Sequence, residues 1–159
     1  MNRREALAAL LLIPIAVAAQ DQEPTASQPT LPIQALTIVT RDGTPHLFHV
    51  EMAISTVQQT TGLMFRPSVA PDGGMLFDWG APRDSQMWMK NTVAPLDMLF
   101  INADGRIRRI AENTVPQSLA VIESGGPVRA TLELAAGTAQ RLDIRVGDLV
   151  KSSVFGNAG

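Results

Sequence analysis

The stretch LTIVTRDGTPHLFHVEMAI, residues 36–54, is two alternating runs joined by a turn. Leu36 and Ile38 share one strand face on the way out. Phe48, Val50 and Met52 share one on the return. Between the runs, Asp42-Gly43 is the residue pair that most readily takes positive φ in a tight hairpin. This strand–turn–strand reading sets the class of the whole domain because the pattern recurs. GMLF, QMWMK, LDMLFI, RIRRIAE, VRATLEL and RLDIRV all alternate, separated by PDGG, NADG, SGG and GD turns. INADGRI repeats the hairpin form. Many short strands at close spacing predict a mostly β fold, a single compact β-barrel or sandwich with one or two short helices. One helix is expected near residues 55–64, where Ser55 and Gln58 form a capping-box pattern and Gly62 weakens the end. A second is expected near 138–142.

The chain of 159 residues has the length of one domain. MNRRE is a short basic start. ALAALLLIPIAVAA is apolar but shorter than a membrane span, and small residues near Ala18 and Ala19 offer a cleavage point. Residues 1–19 therefore read as a signal peptide. Arg3-Arg4 also fits twin-arginine export, so both routes stay open. QDQEPTASQPTLP reads as a disordered linker over 20–32, followed by a single β domain over 33–155 and a frayed tail over 156–159. The expected location is periplasmic or secreted, with no membrane span after signal cleavage.

Composition removes several functions. A net charge of −2 gives no basic footprint for nucleic acid, and aromatics at 4% with no tyrosine weaken any base-stacking role. With no cysteine there is no disulfide, thiolate metal site or thiol nucleophile. Six of the seven methionines lie between 52 and 98, which raises copper(I). They sit singly at core-like positions, however, and strand alternation sends His46 and His49 to opposite faces, so no metal or other cofactor is expected. Hydrolase, phosphate-loop and dinucleotide motifs are absent.

SQMWMKNTVAPLD, residues 85–97, is the stretch with the most chemistry in it. Read as a strand, it places Met87 and Met89 in the core. Gln86, Trp88 and Lys90 then lie together on the other face. An indole beside a cation is a ligand platform, or else a Trp at a sheet edge with Lys90 extended over it to water. Asp97 shares a face with Leu99 and Ile101, so it must find a partner. Lys90 is the natural one if NTVAP folds back as a hairpin. Asn91 can donate and accept, and Arg66 in GLMFRP can clamp an anion.

The order TGLMFRP, GGMLFDW, MWMKNTVAPLDMLFINADGRI and LELAAGTAQRLDIRVGD resembles domain-of-unknown-function family 192, with its Trp-Met-Lys-Asn signature, over residues 35–151. The resemblance implies a compact, mostly β, often exported bacterial domain and implies no reaction. Trp88, Met89, Lys90 and Asn91 match the signature, and Arg66 and Asp97 match its flanking motifs. Asp78-Trp79 stands where the family more commonly has two apolar or aromatic positions.

These readings converge on an exported, non-catalytic module binding a small polar or anionic ligand, a saccharide among the candidates, through Arg66, Trp88, Lys90, Asn91 and Asp97. No catalytic residue is assigned under this reading. Two alternatives stand beside it. One is a periplasmic enzyme using Asp97 and Lys90 as an acid–base pair. The other is an envelope scaffold or partner-binding protein whose motif is wholly structural.

Overall fold

The computed structural model describes residues 22–159, so the expected signal peptide lies outside the described residues. The opening hairpin forms as its sequence requires. Strands β1 (Ile33–Val39) and β2 (Pro45–Ala53) pair antiparallel, with Ile38 opposite His46. Gly43 takes φ +86° at the turn. The Asp42 carboxylate accepts from Thr40 Oγ1 at 2.6 Å and from the Thr44 amide at 3.0 Å. Those bonds, the Thr40 hydroxyl first, lower its pKa to about 2.

Helix α1 (Thr56–Thr61) follows, with both halves of the Ser55/Gln58 capping box in place. It ends before Gly62, whose amide closes on the Gln58 carbonyl at 2.8 Å. The chain then enters β3 (Met75–Met87), parallel to β2. The remaining elements are β4 (Leu96–Ile101), β5 (Ile107–Ala111), β6 (Ile122–Ala135), α2 (Thr138–Leu142), β7 (Leu149–Lys151) and a closing 3-10 turn, Ser153–Phe155. The seven strands form one sheet in the order β5-β4-β6-β3-β2-β1-β7. A bridge between Arg106 and Leu149 brings its two edges together, so the sheet is nearly a closed barrel. The mostly β expectation, with two short helices, is what the chain adopts.

Three runs differ from their sequence reading, the first being QMWMK, which is strand only through Met87, where β3 ends. RLDIRV is not a strand: it ends α2 and turns, with Asp143 left-handed at φ +54°. Ser124-Gly125-Gly126 is not a turn between strands but an irregularity inside β6, where pairing with β3 shifts register. Positive φ at Gly125 and Gly126 lets the strand kink there and continue.

Alternation sorts the strands into two layers. Leu36, Phe48, Val50, Leu76, Leu99 and Leu132 face the barrel interior, joined by Ala139 of α2 and Val150 of β7. Outside β3, β4 and β6 lies a second core of Phe77, Met89, Leu96, Met98 and Phe100, covered by Leu63 and the segment after β3. Gly74 marks how closely β3 enters between its neighbours. It has φ +152°, and an added Cβ would strike the Glu133 carbonyl. Gly74→Ala should therefore cost about 2–4 kcal/mol, read as a lower midpoint in urea unfolding at unchanged slope. A midpoint within error of the native protein would refute that packing.

Residues 22–32, expected to be a disordered linker, contain no helix or strand but are fastened to the barrel. Gln28 Nε2 donates to the Gln58 and Gly62 carbonyls at 3.0 and 2.9 Å, and the Leu31 amide donates to Glu51 at 2.7 Å. At the other end, Asn157 bonds the Ser152 amide and the Val150 carbonyl within the tail expected to fray.

Candidate functional site

The outer layer leaves a cavity of about 370 Å³ between α1, the 62–64 turn and the far end of β3. Trp79 and Trp88, the only two tryptophans of the chain, both line it. Trp79 is held in place by donating from Nε1 to the buried Thr131 hydroxyl at 3.2 Å and by lying 5.7 Å from the Phe77 ring. The Arg83 guanidinium stacks 4.0 Å over Trp79. It is placed there by the register shift between Asp78 and Arg83, next to Gly80 at φ +77°. Asp78 itself is taken up by an ion pair with Arg129.

The floor of the cavity includes Glu133, which is 4% exposed. On β6 it stands between Met75 of β3 and Met98 of β4. Among the described residues no donor reaches its carboxyl, and no oxygen of it is sealed from the cavity. Desolvation raises its pKa to about 8, so near neutral pH the group is largely a carboxylic acid and can donate a hydrogen bond. Sequence reading passed over Glu133. In VRATLEL it falls on the polar side of an alternating strand, which reads as a solvent face. Only the layer of α1 and the 88–92 turn over β6 buries it. Arg83 was also passed over. Trp79 was noticed only as a departure from the family pattern.

The residues singled out from the sequence separate into three places. Trp88 lies on the cavity wall and is 45% exposed. Lys90 Nζ sits 5.1 Å from the Trp88 ring centroid, so the two lie together as expected, although strand β3 has ended at Met87. Lys90 is outside the cavity lining and ion-pairs with Glu23. Asn91 takes φ +56° in the same turn, where its carbonyl accepts the Phe65 amide at 2.8 Å.

Arg66 lies elsewhere. It grips buried Glu51 through two nitrogens, at 2.5 and 2.9 Å, and that carboxylate also receives the Leu31 amide. Asp97 is fully buried at one end of the barrel. Its Oδ1 accepts the Asn113 amide and its Oδ2 the Ala139 amide, both at 2.9 Å. It thereby caps α2, whose own N-cap, Gly137, has no side chain to do so. The anticipated Lys90–Asp97 pair does not form. Strand β6 lies between β3 and β4, so 91–95 is a crossing and not a hairpin. The acid–base arrangement built on that pair is corrected accordingly.

His46 and His49 diverge as strand parity demands, and His49 stands 3.9 Å from Asp72 on the surface. Among the described residues no cluster of three or more His, Asp or Glu side chains is placed to hold a metal ion. Among the same residues no helix is long and apolar enough to cross a membrane.

Comparison with known proteins places this architecture. No curated protein matches the chain. A solved structure from Sinorhizobium meliloti 1021, named a "putative transcription regulator", is 46% identical with a TM-score of 0.78, covering 80% of this chain and 99% of that one. A protein of unknown function from Novosphingobium aromaticivorans DSM 12444 is 38% identical with a TM-score of 0.75, covering 80% and 91%. The sequence model of DUF192, described as "Uncharacterized ACR", matches residues 37–152, which include the Trp88–Asn91 turn and the Glu133 floor. On that match the chain belongs to the DUF192 family.

Proposed function

We propose that this chain is an exported, non-catalytic β-barrel module that takes a small polar or anionic ligand, a saccharide among the candidates, in the cavity beside Trp88. One observation carries the reading. A carboxyl group that is almost wholly buried has no partner among the described residues and opens on a cavity walled by both tryptophans. Its oxygens stay open to the cavity, so a ligand's hydrogen bond there takes the place of solvent and not of a protein partner. The volume falls within the usual range of small-ligand sites. A binding role also suits the dispersal of Lys90 and Asp97, each engaged with a different partner.

The chain is suited to a direct test, because it has two tryptophans and no tyrosine, so its intrinsic fluorescence comes from the cavity walls. The mature protein from residue 20 is titrated with sugars, organic acids, nucleotides and divalent metals, with thermal shift as the second readout. A saturable fluorescence change with a rise in Tm is expected for one of the first two classes. Trp88→Ala, still folded, should weaken that binding at least ~10-fold. Unchanged fluorescence and Tm across the whole set, or full affinity in Trp88→Ala, would overturn the reading. Export has its own test: periplasmic fractions should hold a chain whose N-terminus lies near residue 20, and an uncleaved cytoplasmic chain would refute it.

A further inference from the structure

Resting on that cavity reading, we infer that the ligand is a sugar acid, a hydroxylated ring bearing one carboxylate, bound with Arg83 as its counter-charge and the Glu133 carboxyl as a hydrogen-bond donor. The argument starts from the polar groups that the cavity leaves unused. Gln59 Nε2 is committed to the Ala53 and Asp78 carbonyls at 3.1 and 2.7 Å, which leaves its oxygen as an acceptor. The Thr61 hydroxyl donates to the Val57 carbonyl at 3.0 Å, and the Thr92 hydroxyl to that of Lys90 at 3.3 Å. Arg83 differs: its guanidinium stacks on Trp79, and no acceptor among the described residues takes its N–H groups. A guanidinium fork with free N–H groups is matched to a carboxylate, which it binds bidentately.

Among the described residues lining the cavity, Arg83 and Glu133 are the only two of charged type. Around Glu133, β3 contributes Met75, β4 contributes Met98, and α1 carries no charged residue. The nearby Asp78 is neutralised by Arg129. With Glu133 protonated, the lining therefore carries one net positive charge and offers an O–H donor at the floor. An anion with hydroxyl groups answers both. The exposed Trp88 ring offers an apolar face for the ring carbons. A cationic ligand would need Glu133 ionised and would meet Arg83 as a like charge. The two ligand classes therefore predict opposite pH dependences.

The experiment compares three probes that share one ring: galacturonate, methyl galactoside and methyl 6-amino-6-deoxygalactoside, whose primary amine stays cationic over most of the range, titrated by tryptophan fluorescence from pH 6 to pH 9. Galacturonate should bind at least tenfold more tightly than methyl galactoside. Its affinity should hold steady at the acid end and fall toward tenfold per pH unit above the Glu133 pKa of about 8. Glu133→Gln keeps a donor, so it should bind at pH 6 within a few-fold of the native protein and lose the pH dependence. Arg83→Ala should remove the preference for galacturonate over methyl galactoside. Equal affinity for those two would overturn the sugar-acid inference and leave the cavity reading standing. So would the 6-amino sugar bound more tightly as pH rises. No binding of any probe overturns the inference too, and the wider ligand screen then decides the cavity reading separately.

Discussion

Asp97→Ala lowers the Tm by roughly 10–15 °C, the expected result of removing a buried carboxylate that holds two backbone amides. Both N–H groups, of Asn113 and Ala139, lie at 2.9 Å from its oxygens, and the Ala139 bond is buried at the barrel end. A hydrogen bond to a charged group contributes about 1.5–3 kcal/mol, and a buried donor left alone costs a similar amount, so the total is about 3–5 kcal/mol. Asp97→Asn keeps the shape but turns an amide N–H toward a backbone N–H, so it should lose about half as much. Calorimetry of both variants decides the matter. A shift below about 3 °C in Asp97→Ala would mean that the carboxylate is dispensable to α2. It would also revive the possibility that Asp97 is held in reserve for chemistry. In the latter case Asp97→Asn would abolish a turnover while leaving the fold unchanged.

The second large effect concerns pH. Glu133 binds its proton more tightly folded than unfolded, with a pKa raised from 4.5 to about 8 by desolvation. Its contribution is thus fully present below pH 4.5 and is lost as pH rises toward 8. In that window the unfolded state carries one proton fewer, and native stability falls by up to about 1.4 kcal/mol per pH unit. Water at the cavity mouth softens this to a few kcal/mol over the whole range. Glu133→Gln removes the titration. It should match the native protein near pH 5 and exceed it by about 2–4 kcal/mol near pH 8. Urea unfolding of the two proteins at several pH values checks this, since their difference isolates the one group. Parallel stability–pH curves would show that Glu133 has an ordinary carboxylate pKa, and the protonated donor at the cavity floor would go with it.

What could be read from the sequence was local. The Asp42-Gly43 hairpin, the capping box at Ser55 and Gln58, and the Asn102–Arg106 turn before β5 each depend on residues within a few positions of one another. The division of β4 was also visible: Asp97, Leu99 and Ile101 face one way, and Leu96, Met98 and Phe100 the other. So was the placing of Trp88 beside Lys90. Strand parity and turn chemistry act over distances that the chain itself fixes.

The site required the strand order. Whether Lys90 meets Asp97 depends on what stands between β3 and β4, and the answer is β6, some 30 residues downstream of Lys90. The same insertion makes Glu133 a buried acid. In its own strand it is a polar residue alternating with leucines, as an exposed position would be. It becomes a cavity floor because β3 and β4 flank it and a second layer covers it. The sequence by itself determined the class of fold, the local elements and the faces of the strands, since these follow from short-range sterics and hydrogen bonding. Only the tertiary structure decided which acid is capped, which is paired and which is left to face a ligand. Desolvation and partnering depend on neighbours far away in the chain.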